Sequence, residues 1–197
     1  MLDWLKHINK DYPEFWKRYL VKFEKKPERY VILRTHRSGP NPEKDVLFSL
    51  GAVSVINDQI VVGDSFEVMI YQYKYLHDNG LPNDFIIEST LPKKHEPQAI
   101  EDFISFLGNA ILVGFQIHHD LDLINEALHK LNAGRLRNEA LDLDIMHKKS
   151  RESDKSVQFD ELLAAYKLPR GESWVASEEA YNMALIFLSL KVRLGLK

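Results

Sequence analysis

Tyr30-Val31-Ile32-Leu33-Arg34-Thr35-His36-Arg37-Ser38-Gly39 is the stretch that decides how this chain folds. It opens on a short apolar run and then meets turn chemistry, because Ser38 to Asp45 holds Gly39, Pro40, Asn41 and Pro42. A short apolar run bounded by Gly and Pro reads as a strand. Val46 to Ile56 forms a second apolar strand pattern, and Ile60 to Tyr71 a third. Asn57 and Asp58 between them suit a tight turn. Connections this short predict an antiparallel meander.

Working outward, residues 72–94 are polar and contain proline, and they read as an irregular loop. Glu96 to Leu107 is predicted to be a helix, with Ile100, Phe103, Ile104 and Leu107 on one face. Ala110 to Val113 reads as a buried strand, and His118 to Leu131 as a helix ended by Gly134. Ala140 to Leu143 is a short strand, followed by helices near Ser156–Tyr166 and Val175–Leu194. A meander followed by alternating helices and strands predicts an α/β fold with a mixed sheet flanked by helices. Upstream, residues 1–27 read as a helical appendage to a domain covering 28–197. Pro13 suits a first helical position. Phe15, Trp16, Tyr19, Leu20 and Phe23 then share one face. That face either packs on the main domain or docks a protein partner.

The chain has 197 residues, a length that suits one domain with a short appendage. Its net charge of −3 argues against a generally basic surface for nucleic acid, while leaving room for a local patch. There is no cysteine, which excludes disulfides, thiolate metal sites and cysteine nucleophiles and fits a reducing cytoplasm. The N-terminal stretch stays charged, without a signal-peptide core. Ala110 to Phe115, the longest apolar run, is too short to cross a bilayer. The expectation is a cytoplasmic protein with no membrane part.

The Tyr30–Gly39 stretch is similar in frame to the first motif of the DEDDh 3′–5′ exonucleases, where a strand runs into Asp-Thr-Glu-Thr-Thr-Gly. Further pieces follow in the same order: Asn41–Asp45, Leu50–Val53, Asp64–Val68, Asn109–Gly114 leading to His119-Asp120-Leu121, and Glu179 to Ala184 leading to Phe187-Leu188. The chain thus resembles that family over nearly all of 29–192, and within it the proofreading epsilon type of bacterial polymerase III. The resemblance implies a ribonuclease H-like fold. It also implies two magnesium-type ions about 4 Å apart, held by carboxylates, with a histidine as general base.

Most of the implied residues are replaced. The family's first aspartate falls on Arg34 and its glutamate on His36. Its second-motif aspartate is kept as Asp120. Its histidine falls on Trp174, and its last aspartate on Glu179, with Glu178 the alternative. Glu88-Ser89-Thr90 stands where relatives often carry His-Gly-Ile. The four family acids carry −4, whereas these four positions carry −1. A guanidinium cannot be deprotonated, so Arg34 is expected to pair with Asp120 or Glu179 and substitute for metal charge. Arg34 as a surface residue, His36 as a polar filler and Trp174 as a plug are the plainer readings. A single softer ion, manganese or zinc, on His36, Asp120, Glu179 and His118 or His119 is an alternative to no cofactor at all.

Three functions remain open at this point. One is a degenerate exonuclease-family protein, lacking normal two-metal nuclease activity, that acts through protein binding or binds single-stranded DNA or RNA through Arg34, Arg37 and Trp174. The second is an active metal-dependent 3′–5′ exonuclease, and the third a protein-interaction scaffold.

Overall fold

The computed structural model describes residues 11–39, 41–71, 90–170 and 175–196. The described strands form one sheet in the order β4-β3-β2-β1-β5-β6. Strands β1 (Tyr30–Arg37), β2 (Leu47–Ile56) and β3 (Gln59–Ile70) make the antiparallel meander. Asn57 and Asp58 join the last two with φ of 50° and 60°, the left-handed values that a tight two-residue hairpin turn requires. Strand β5 (Ile111–Gly114) runs parallel to β1, and β6 (Ala140–Asp142) parallel to β5. The sheet is therefore mixed, as the sequence predicts.

Strand β4 (Lys93–Lys94) pairs in parallel with β3 through Met69 and Ile70, so the last part of the expected loop is sheet edge. Lysine is depleted in strands but common on exposed edges, which hides this element from the sequence. Residues 72–89 of that expected loop lie outside the described residues.

The helices are α1 (Glu14–Val21), α2 (Glu96–Leu107), α3 (His118–Lys130), α4 (Leu143–Arg151), α5 (Phe159–Ala165) and α6 (Ala176–Arg193). Three details differ from expectation. Pro13 is the residue before α1, with ψ of 151°, and so lies just outside the helix. Helix α3 closes at Asn132, which takes φ of 56°, while Gly134 permits a close approach: a Cβ there would lie 3.1 Å from Nε1 of Trp16. Helix α4 replaces what reads as a connection. Its cap is the Asp142 carboxylate, which accepts from the Asp144 amide at 2.9 Å. Its last turn carries Lys148, Lys149 and Arg151, which suit the helix dipole.

Side chains alternate along β1 and divide the core in two. Val31 and Leu33 pack with Trp16, Ile100, Phe103 and Ile124 of α1, α2 and α3. Ile32 packs with Leu143, Leu162, Met183 and Phe187 of α4, α5 and α6. The aromatic face of α1 is turned into the first of these clusters. Trp16 and Tyr19 are each 1% exposed, and Phe15, Leu20 and Phe23 are partly buried beside them. The Tyr19 hydroxyl donates to Asn138 Oδ1 at 2.7 Å and accepts from the Arg137 amide at 2.8 Å. Burial pushes the Tyr19 hydroxyl well above its ordinary range, keeping it protonated. Among the described residues no helix is long and apolar enough to cross a membrane.

Candidate functional site

The site lies where β1 and β5 end, at the carboxyl edge of the parallel part of the sheet, a common place for ligands in α/β folds. After β5 the chain turns through Phe115, Gln116 and Ile117 into α3. Asp142 holds that turn as well as capping α4: its Oδ1 accepts from the Gln116 amide at 3.2 Å and its Oδ2 from the Ile117 amide at 3.1 Å. One carboxylate therefore fixes two helix starts, and with them Asp120 in the first turn of α3.

The end of β1 presents alternate residues to its two faces. On the α6 face, Arg34 Nε donates to Glu179 Oε2 at 2.6 Å. His36 Nε2 lies 3.3 Å from Glu179 Oε1, and His36 Nδ1 lies 2.9 Å from Ser49 Oγ. The Arg34 guanidinium also covers the Phe159 ring, with Cζ 4.5 Å from its centroid. On the α3 face, Thr35 Oγ1 donates to Asp120 Oδ1 at 2.6 Å. Arg37 Nη1 bonds the same oxygen and lies 3.3 Å from Thr35 Oγ1.

Glu179 and Asp120 thus each have their own guanidinium. Burial works to raise the Glu179 pKa, but the His36 bond and the Arg34 charge overcome it and hold the group below its ordinary value. Asp120 is 1% exposed, and there burial wins: its pKa is raised even though Arg37, Thr35 and Arg34 pull the other way. The difference follows from depth, since Glu179 keeps some contact with solvent.

The structure brings Arg34, His36 and Glu179 together, and it brings Arg37 to Asp120. Arg34 pairs with Glu179, as one of its two expected partners, and its side chain is only 18% exposed. Glu178 is exposed, so Glu179 is the acid of α6 that reaches β1. His118 and His119 lie at the start of α3 with ring centroids 3.9 Å apart. Burial, His118 and Arg37 all lower the His119 pKa. Trp174, Glu88 and Ser89 fall outside the described residues. Among the described residues no three His, Asp or Glu side chains gather in a way that could hold a metal ion.

Four neighbours of these pairs are not singled out by the sequence. Phe159 lies within the helix expected near Ser156–Tyr166, and Ser49 within the second strand. Thr35 and Glu67 lie inside the Tyr30–Gly39 and Asp64–Val68 stretches without standing out as site residues. For Glu67 the local hint is an acid in a β-strand, where acids are depleted.

No family model matches this chain, and no curated protein matches it. Solved structures do. Exonuclease I of E. coli in complex with a dT13 oligonucleotide superposes with a TM-score of 0.67 at 12% identity, covering 85% of this chain and 42% of that one. The zinc-bound form of the E. coli exonuclease I–single-stranded DNA complex gives 0.66 at 12% identity, covering 87% and 42%. Cell-death related nuclease 4 gives 0.64 at 16% identity, covering 86% and 65%. The fold is the ribonuclease H-like fold of these exonucleases. The chain spans less than half the length of the exonuclease I chains. Identities this low carry the architecture and leave the activity to the site.

Proposed function

We propose that this chain is a degenerate 3′–5′ exonuclease-family protein that binds single-stranded nucleic acid without cutting it by two-metal chemistry. The observation that carries this reading is the 2.6 Å bond from Arg34 Nε to Glu179 Oε2. In a two-metal site, divalent cations neutralise clustered carboxylates. Here the two retained carboxylates already have guanidinium partners, and the remaining positions of the set are a cation and an imidazole. The family's pair of divalent ions does not fit these donors: the charge is too small, and Arg34 occupies the side of Glu179 that a cation would need. Magnesium-type ions also prefer oxygen ligands, and His36 supplies none.

What remains suits holding a phosphate. Arg34 uses Nε for Glu179 and one face of its guanidinium for Phe159, and its Nη groups are the donors proposed for a phosphodiester. Arg37, on the other face of the same strand end, adds a second guanidinium. The oligonucleotide complexes of the structural neighbours support the choice of ligand.

The test uses 5′-labelled single-stranded DNA and RNA with magnesium or manganese. A mobility shift without shortening is the expected result. Trimming from the 3′ end would establish instead an active metal-dependent exonuclease of epsilon type. Neither shift nor trimming would leave the fold as a protein-interaction scaffold.

A further inference from the structure

Arg34, Gly51 and Glu67 face one another in a single row across β1, β2 and β3. The first turn of α6 lands on the middle of that row. A Cβ at Gly51 would lie 2.1 Å from the Ser177 amide nitrogen and 2.2 Å from the carbonyl carbon of Ala176, so helix backbone fills the space of a missing side chain. Beside the gap, Glu67 Oε2 accepts from the Ser177 amide at 2.5 Å. On the other side, Arg34 holds Glu179, two residues further along the same turn.

Helix starts leave amides without partners, and the preceding residue ordinarily supplies the acceptor. Here that residue is Val175, and no side chain of its own caps the helix. We propose that Glu67 caps α6 from the neighbouring sheet and is thereby a positioning residue, fixing the first turn so that Glu179 is aimed at Arg34 and His36. The charge suits the place, because a carboxylate at a helix N-terminus meets the positive end of the dipole. The acceptor is held at a cost: the second oxygen, Oε1, is buried without a partner among the described residues. Burial pushes the Glu67 carboxyl up, and the Ser177 bonds and the His36 charge offset only part of that. The inference rests on backbone geometry and stands whether or not the cleft binds nucleic acid.

Hydrogen exchange measured by NMR on the full chain tests it. The probes are the Ser177 amide and the Arg34 Nε–H, with the Leu112 amide in β5 as reference. In E67A both probes are expected to exchange about tenfold faster or more, while Leu112 changes no more than global stability dictates. E67Q keeps an acceptor and is expected to retain the protection of both. I100V, in the opposite core layer, is the control for general destabilisation. Unchanged protection in E67A overturns the inference. So does loosening of both probes only in step with Leu112, as in the control, or equal loss in E67Q. Should E67A fail to fold, E67D is read in the same way, since it withdraws the carboxylate by a methylene.

Discussion

Replacing Arg34 with leucine leaves Glu179 facing an apolar side chain in a site where its own side chain is 12% exposed. Breaking a buried pair by removing one partner costs about 3–5 kcal/mol. Both side chains keep some solvent contact, which screens part of that. Screening brings the cost below that range, to about 2–3 kcal/mol, including about 0.5–1 kcal/mol for the lost contact with Phe159. For a chain of this size that lowers Tm by about 5–10 °C. The pH dependence is the sharper part. In the unaltered protein the Glu179 pKa lies below its ordinary value of 4.5, so its pairing contributes stability above that value and loses it as pH falls through the folded value. Without Arg34, burial is opposed by His36 alone, and the charged form becomes a penalty at neutral pH that acid relieves. The R34L deficit is therefore greatest near pH ~7.5 and shrinks toward pH ~4.5. Urea unfolding followed by circular dichroism at the two pH values measures it. A deficit under about 0.5 kcal/mol, or one of equal size at both, refutes the pairing.

Other substitutions probe the same architecture. G51A is expected to lose about 3 kcal/mol or more in thermal unfolding, since its methyl would lie 2.1 Å from the Ser177 nitrogen. E67Q is expected to gain about 1 kcal/mol at neutral pH in urea unfolding. The raised pKa of Glu67 makes its charged form a cost above the ordinary value of 4.5, and the gain vanishes as pH falls and Glu67 takes up its proton. At Asp120 the two sides of one pair should differ in urea unfolding. D120N costs within about 1 kcal/mol, because Arg37 is 20% exposed and can turn to water, whereas R37L costs about 3 kcal/mol by leaving a carboxylate buried.

The meander was legible because its signals are local: apolar runs, turn residues and the Asn57-Asp58 corner all act within a few residues. Helix α2 was legible for the same reason, its apolar face repeating with the helical period. Strand β4 was not, because its two lysines join the sheet only through backbone bonds to β3, and backbone bonding leaves no mark on residue type. Helix α4 had a start signal in Asp142, but that carboxylate also serves the loop after β5, a contact across 25 and 26 residues that no local pattern records. In the site, sequence order supplied the positions of Arg34, His36, Asp120 and Glu179. It left the partner of Arg34 open between Asp120 and Glu179 and gave Arg37 no acid partner. That Arg37 rather than Arg34 reaches Asp120 follows from the alternation of β1 and from which helix covers each face. Phe159 enters by proximity alone.

That alternation also explains how two buried acids are kept at the end of one strand. Asp120 and Glu179 are too buried to be left unpaired. Placing arginines at 34 and 37 sends one guanidinium to each face of the same strand, so the charges of Glu179 and Asp120 are each answered locally. Metal and guanidinium are then competitors for the same oxygens. A divalent cation approaching Glu179 has to displace Arg34 from a 2.6 Å bond and from its place over Phe159. One approaching Oδ1 of Asp120 competes with both Arg37 and the Thr35 hydroxyl. Each displacement leaves a half-buried cation beside the incoming one, so the repulsion grows as the site fills, and two ions would have to overcome it twice.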